Sequence, residues 1–119
     1  MTKWTLFIDD ERLPNTKYPV LKSLIGRILL HSGINSNLNI ICRNFAEAEV
    51  LVNVHGIPSI IHFDHDLGNG KTGYDFARFI IDSNMDGKPF PPDFKFYVHS
   101  QNPIGKHNIE SLFVSYFNQ

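Results

Sequence analysis

The sequence predicts an α/β fold: one parallel sheet of four strands in the order 2-1-3-4, joined by right-handed crossovers and covered by helices on both faces. Short apolar runs of strand length alternate with segments of helical periodicity along all 119 residues. The run at 58–63 is almost unbroken, which is typical of a central strand covered on both faces. Two runs, 4–8 and 60–63, lead directly into acidic residues. We therefore expect a single domain over 1–119, built as a three-layer sandwich.

The predicted strands are the four runs 4–8, 38–43, 58–63 and 94–98. Pro19 opens the first helix, whose apolar residues follow helical spacing: Leu21, Leu24, Ile25, Ile28 and Leu29. Gly33 ends this helix. The sequence ends before any further apolar run, so we predict a truncated sheet with no fifth strand.

The other helices have recognisable boundaries. Asn44 is expected to cap the second helix, with Glu47 reciprocating as in a capping box, and the helix should stop near Gly56. Thr72 and Asp75 are expected to cap the third helix after a glycine-rich loop. The last helix is predicted from residues at positions i, i+3, i+4 and i+7: Ile109, Leu112, Phe113 and Tyr116.

Composition narrows the class of protein. A formal charge of -1 and a pI near 6.6 argue against a large basic surface, so we expect no duplex DNA partner. The sequence shows neither a signal-peptide core nor a membrane span, so we expect a cytoplasmic protein with no membrane partner. The single cysteine, Cys42, lies in an apolar stretch, which favours a buried side chain over a reactive thiol.

Acidic residues follow two predicted strands that are neighbours in the expected sheet: Asp9, Asp10, Asp64 and Asp66. The carboxyl edge of an open parallel sheet is where such folds bind ligands. Two like charges about 4 Å apart repel by roughly 4 kcal/mol at an effective dielectric near 20, so crowded carboxylates take up protons or a cation. We predict that Asp9, Asp10 and Asp64 hold Mg²⁺ or Mn²⁺. Neighbouring histidines leave zinc open as an alternative.

This arrangement resembles the layout of response-regulator receiver domains, which have paired acids after the first strand, an aspartate after the third and a hydroxyl residue after the fourth. Asp9, Asp10, Asp64 and Ser100 match these positions. The resemblance implies that Asp64 accepts a phosphoryl group. The lysine that ends a receiver's fifth strand has no counterpart, because Lys106 falls at the start of the last predicted helix.

A closer resemblance, over nearly the whole chain, is to the cyclic-phosphate processing receiver-like domain family. The matching motifs are Asp9-Asp10-x-Arg12-x-Pro14, Arg43 before a helix with Glu47 and Ala48, Asp64-His65-Asp66-Leu67-Gly68, Thr72-Gly73-Tyr74-Asp75 and His99-Ser100-x-Asn102-Pro103-x-Gly105. The resemblance implies a receiver-like, flavodoxin-like fold. It also implies a role in handling cyclic phosphates, such as an RNA end with a 2′,3′-cyclic phosphate, as in RNA repair, or a cyclic nucleotide.

The first functional hypothesis is a metal-assisted phosphoesterase. A histidine side chain can both accept and donate a proton, so one of His65 and His99 could activate water while the other protonates the departing ribose oxygen. Asp66 would complete the metal shell or position the water. Arg12 and Arg43 could bind the phosphate through bidentate hydrogen bonds, or could instead form structural ion pairs.

Three further polar residues need an interpretation, and two of them are open to two. Ser100 and Asn102 are candidate phosphate ligands, since the amides at the start of the last helix would suit an anion. The segment around Asn102 could equally be a plain turn. His62 lies inside the third predicted strand, and we interpret it as a hydrogen-bonded core histidine.

The second functional hypothesis is a binding module that holds a cyclic nucleotide or a protein partner without turnover. Without a fifth unit, the strand at 94–98 is left as a sheet edge with aromatic side chains. Exposed edges of this kind tend to pair. We therefore expect a homodimer, or a partner, at the fourth-strand edge.

Overall fold

The computed structural model describes residues 3–9, 20–33, 37–63, 71–100 and 102–119. The strands in these residues are β1 (Lys3–Ile8), β2 (Leu21–Lys22), β3 (Asn37–Cys42), β4 (Ile60–Phe63) and β5 (Lys95–Val98). The helices are α1 (Ser23–His31), α2 (Phe45–His55), α3 (Gly73–Met85) and α4 (Pro103–Phe117). None of these helices is long and apolar enough to cross a lipid bilayer.

The strands form one parallel sheet in the order β2-β3-β1-β4-β5. The four predicted strands lie in the expected order, but the prediction of no fifth strand is wrong. Residues predicted to be helical form β2 instead, where Leu21 pairs with Ile40 and Lys22 with Ile41. This short extended segment satisfies backbone groups on the outer edge of β3 that would otherwise lack strand partners. Helix α1 consequently begins at Ser23.

All four described helices pack on the same face of the sheet. Four residues that are paired across neighbouring strands form one row on this face: Leu6, Ile40, Ile61 and Phe96. Gly26 of α1 lies directly against Ile40, and Phe113 of α4 contacts the rings of Phe63 and Phe96. Helices α2 and α3 contribute buried residues to the same core, including Leu51 and Phe76. The prediction of helices on both faces is therefore wrong for the described part of the chain.

The position of β2 explains why α1, α2 and α3, the helices that connect strands, share a face. In a right-handed crossover, the direction of the step between two parallel strands fixes the face on which the helix lies. The steps from β2 to β3, from β3 to β4 and from β4 to β5 all run in one direction across the sheet. A direct step from β1 to β3 would run in the opposite direction and would place α1 on the other face.

The predicted helix boundaries are largely confirmed. The side chain of Asn44 accepts from the Glu47 N–H at 2.9 Å and caps α2. The Glu47 carboxylate does not complete the expected box, because it accepts from the N–H of Arg43 instead. Thr72 and Asp75 form a complete capping box on α3. Helix α2 ends at His55 and is followed by the C-cap Gly56, whose φ of 86° is left-handed backbone that favours glycine.

Helix α1 buries less of its apolar surface than its periodicity indicates. Leu24, Ile25 and Ile28 are exposed, whereas Gly26 is the buried residue of this helix. The close approach of Gly26 to β3 determines which side of α1 faces the core. The last helix follows its prediction, because Ile109 and Phe113 are fully buried.

Candidate functional site

The described residues include half of the predicted site. Asp9, Arg43, His99, Ser100 and Asn102 are described. Asp10, Arg12, Asp64, His65 and Asp66 lie outside the described residues, so their predicted roles stay predictions.

Backbone hydrogen bonds place Asp9 and His99 at the carboxyl edge of the sheet. The N–H of Asp9 donates to the carbonyl of Cys42 at 3.1 Å, and the N–H of His99 donates to the carbonyl of Phe63 at 2.9 Å. These bonds extend the ladders of β1 with β3 and of β4 with β5 by one residue. Since β4 lies between β1 and β5, the Asp9 and His99 backbones are about 10 Å apart across the sheet.

The start of α2 holds Arg43 at the same edge. One oxygen of the Glu47 carboxylate accepts from the Arg43 N–H at 2.7 Å, and the other accepts from the hydroxyl of Ser23 at 3.0 Å. The guanidinium Nη1 of Arg43 donates to the backbone carbonyl of Asp9 at 3.1 Å. The predicted residues Asp9 and Arg43 are therefore in direct contact, through the Asp9 backbone.

His62 and His99 form a hydrogen-bonded pair. Nδ1 of His62 lies 2.8 Å from Nε2 of His99, and the two ring planes are within 8° of parallel. The nitrogens are closer than stacked rings could approach, so the imidazoles lie side by side and share a proton along this bond. One nitrogen donates and the other accepts, according to the tautomer.

Two aromatic rings enclose His62 on its faces. The ring of Phe7 is parallel to it at 4.4 Å between centroids, and the ring of Tyr97 is nearly parallel at 5.0 Å. Burial, and to a smaller extent the nearby His99, lower the pKa of His62 to about 4. The His62 ring is consequently neutral near pH 7. Its hydrogen bond holds Nε2 of His99 in place.

His62 is the residue that the sequence interpretation missed. The expected hydrogen bond is present, but the predicted position in the core is wrong, because His62 lies on the face of the sheet opposite the helices. We call this surface the open face, because no described helix covers it; it comprises Thr5, Phe7, Asn39, Ile60, His62, Lys95 and Tyr97. Strand alternation was the available signal, since Ile61 and Phe63 on either side of His62 are fully buried.

Ser100 and Asn102 build the turn into α4. The Asn102 N–H donates to the Ser100 hydroxyl at 3.0 Å. The Asn102 side-chain oxygen accepts from the N–H groups of Ile104 and Gly105 at 3.1 and 3.2 Å, so it caps the helix. These contacts agree with the turn interpretation, and phosphate binding by Ser100 and Asn102 stays a prediction.

The described residues contain no group of three histidine, cysteine or acidic side chains that could hold a metal ion. Asp9 is the predicted metal ligand that the structure describes. Its two predicted partners, Asp10 and Asp64, fall in the gaps between the described ranges.

A comparison with protein families now identifies the chain. The family model described as "Cyclic-phosphate processing Receiver domain" matches residues 4–115. The chain belongs to the cyclic-phosphate processing receiver domain family. The match confirms the resemblance inferred from the sequence motifs, and it covers all of the described site residues.

Other comparisons inform only the fold of this cyclic-phosphate processing receiver domain. No curated protein matches the chain. It is similar to a solved structure of the trimeric coiled coil of yeast Spc42, amino acids 181–211, fused to another protein, with 18% identity and a TM-score of 0.51. The alignment covers 92% of this chain and 62% of that chain, so the domain spans about three fifths of the other molecule's length. At this identity the similarity shows the fold alone.

Proposed function

We propose that this receiver domain hydrolyses a cyclic phosphate ester, such as the 2′,3′-cyclic phosphate of an RNA end or a cyclic nucleotide. The observation that carries the proposal is the hydrogen bond between His62 and His99 at the carboxyl edge of the sheet. A histidine held by a second group in this way has the arrangement of a general acid-base catalyst. The family to which the chain belongs supports the choice of a cyclic phosphate.

The proposed reaction is the addition of one water molecule. The water oxygen forms a bond to phosphorus, and one of the two ring P–O bonds breaks. A base takes the proton that the water loses, and an acid gives a proton to the departing ribose oxygen. His99 performs one of these roles in our proposal, and His65 is proposed for the other from its place in the sequence motif. Asp66 is proposed to position the water.

His62 acts in this proposal as a positioning residue for His99. Its bond to Nε2 fixes the orientation of the His99 ring at the carboxyl edge. Because the pKa of His62 is lowered to about 4, His62 stays neutral while His99 gains and loses its proton.

Arg43 is proposed to bind the phosphate. Its backbone is fixed by Glu47, and its guanidinium reaches the Asp9 carbonyl at the carboxyl edge. A guanidinium there presents a planar set of donors to phosphate oxygens. Arg12 is the second proposed phosphate ligand, and Ser100 and Asn102 are proposed to contribute at the start of α4.

A divalent metal remains part of the proposal through the sequence alone. Carboxylate oxygens such as those of Asp9, Asp10 and Asp64 are ligands that Mg²⁺ and Mn²⁺ prefer. When bound, such an ion would polarise the phosphoryl oxygen.

The test uses a short RNA that ends in a 2′,3′-cyclic phosphate, incubated with the protein and Mg²⁺, Mn²⁺ or a chelator. Mass spectrometry of the RNA should show the gain of one water. We expect His99→Ala to abolish the gain and Arg43→Ala to raise KM. His31→Ala and Arg78→Ala are matched controls, because both residues are exposed on helices away from the carboxyl edge.

Unchanged RNA under every metal condition would refute hydrolysis of this substrate. If a cyclic nucleotide then raised the melting temperature without being hydrolysed, the domain would be a binding module, the alternative considered from the sequence.

A further inference from the structure

The open face carries a cleft of about 760 Å³ that begins beside His62 and continues toward the amino ends of the strands. Its floor comes from two register rows: Phe7 with His62, and Asn39 with Thr5 and Ile60. The volume lies in the range of about 300–1,000 Å³ that is usual for small-molecule pockets. The cleft is therefore large enough for an organic ligand.

Two polar side chains on the cleft floor have no hydrogen bond to any other described residue. Thr5 and Asn39 are register partners on adjacent strands, and both are half-buried. Both side chains are accessible to solvent, so a ligand can replace the water at the Thr5 hydroxyl and the Asn39 amide with its own hydrogen-bonding groups. The Asn39 amide offers both donors and an acceptor, as the edge of a nucleobase does.

Apolar side chains complete the lining. Phe7 and Ile60 lie on the floor, and Leu21 of β2 lines the same cleft. A mainly apolar surface with a few polar groups suits a flat heterocycle with hydrogen-bonding edges. It suits a second copy of this chain less well, because an apolar partner would bury Thr5 and Asn39 without replacing their hydrogen bonds.

The cleft is continuous with the candidate site. His62 lines the cleft and also bonds to His99 at the carboxyl edge. A ligand on the cleft floor would therefore extend an attached phosphate toward His99. The far rim, at the amino ends of the strands, carries Lys95 and the ion pair of Lys3 with Asp93 at 2.8 Å.

We infer that this cleft binds the nucleoside part of a nucleotide cyclic phosphate. The inference rests on the proposed function and names its substrate class. Asn39 and Thr5 recognise the base or ribose, the apolar residues pack against the base, and the cyclic phosphate lies at the carboxyl edge.

The test compares two ligands with the same five-membered cyclic phosphate: 2′,3′-cyclic AMP, which has a base, and glycerol 1,2-cyclic phosphate, which has none. Hydrolysis is followed by phosphorus NMR and affinity by titration calorimetry. We expect the nucleotide to have the lower KM. Asn39→Ala should raise the nucleotide KM roughly fivefold to tenfold, the effect of one lost hydrogen bond, and leave the glycerol ester unaffected. Asn53→Ala on exposed α2 is the matched control and should change neither.

The outcomes separate this inference from the proposed function. Equal KM values for the two esters, or no effect of Asn39→Ala, would overturn the nucleoside cleft and leave hydrolysis intact. If neither ester is hydrolysed, the calorimetric Kd decides. Nucleotide binding that Asn39→Ala weakens would support the cleft, whereas absent binding, or self-association of the chain that Asn39→Ala weakens, would overturn it.

Discussion

At the residue scale, neighbouring groups set the chemistry of His62. Phe7 and Tyr97 lie against its two faces, and His99 bonds to its Nδ1. The two rings exclude water that would otherwise stabilise the charged form of His62, and the nearby His99 adds like-charge repulsion. The neutral ring is thus favoured by the fold.

The lowered pKa of His62 predicts how stability changes with pH. Unfolded His62 binds a proton below about pH 6.5 and folded His62 only near pH 4, so the free energy of unfolding should fall as pH falls between these values. After allowance for partial solvent screening, the loss is of the order of 2 kcal/mol. Urea unfolding at several pH values should show a shallower pH dependence for His62→Phe, which keeps an aromatic ring in the row. The same dependence in both proteins would contradict the prediction.

Cys42 should be unreactive in the folded protein. Its side chain is fully buried, and burial, with a smaller effect of the Glu47 carboxylate, raises the pKa of the thiol to about 12. Ellman's reagent at pH 8 should therefore react only as the protein unfolds, because the thiolate is the nucleophile. Full reaction in urea supplies the control, since this is the single cysteine. Rapid labelling of the native protein would disprove the assignment.

At the element scale, hydrogen bonds between residues close in sequence were the predictable part. Asn44 caps α2 and Thr72 with Asp75 caps α3, because these bonds need only a local turn. The start of α1 was not predictable in this way. Leu21 belongs to β2 because β3 offers it strand partners, and β3 is distant in sequence.

Gly26 should be intolerant of a side chain. A Cβ at this position would lie 2.6 Å from side-chain atoms of Ile40, which is fully buried. Gly26→Ala should therefore destabilise by about 1–3 kcal/mol, despite the better helix propensity of alanine. Ile28→Ala, at an exposed site on the same helix, is the control and should cost little.

A double-mutant cycle tests the contact itself. Ile40→Ala removes the atoms that the new Cβ would meet, so the combined variant should lose less free energy of unfolding than the sum of the single variants. Strict additivity in urea unfolding would show that the two sites do not touch.

At the scale of the whole molecule, the direction of each crossover decides which surface is left for ligands. All described helices lie on one face, and the opposite face presents the row of Phe7, His62 and Tyr97. This arrangement leaves a long polar and aromatic surface next to the carboxyl edge.

The same architecture leaves β5 at the edge of the described sheet. We expect two copies to pair there, because an edge strand presents backbone groups without strand partners and Tyr97 is 47% exposed. Sedimentation velocity should show a dimer at micromolar concentration, weakened by Tyr97→Lys. Val54→Lys, at an exposed position on α2, is the matched control and should leave it unchanged. A monomer throughout would contradict the prediction.

The sequence by itself determined the strand order of the four main strands, the helix caps and the grouping of Asp9, Arg43 and His99 at one edge. The caps follow from local hydrogen bonding and the strands from periodicity, which neighbouring residues encode. The order of the strands, and with it the grouping at one edge, was expected from right-handed crossovers and from the receiver-like resemblance. Only the tertiary structure decided the pairing of β2, the single helical face and the bond between His62 and His99. They depend on which strands become neighbours, and residues far apart in sequence, such as Leu21 and Ile40, make those contacts.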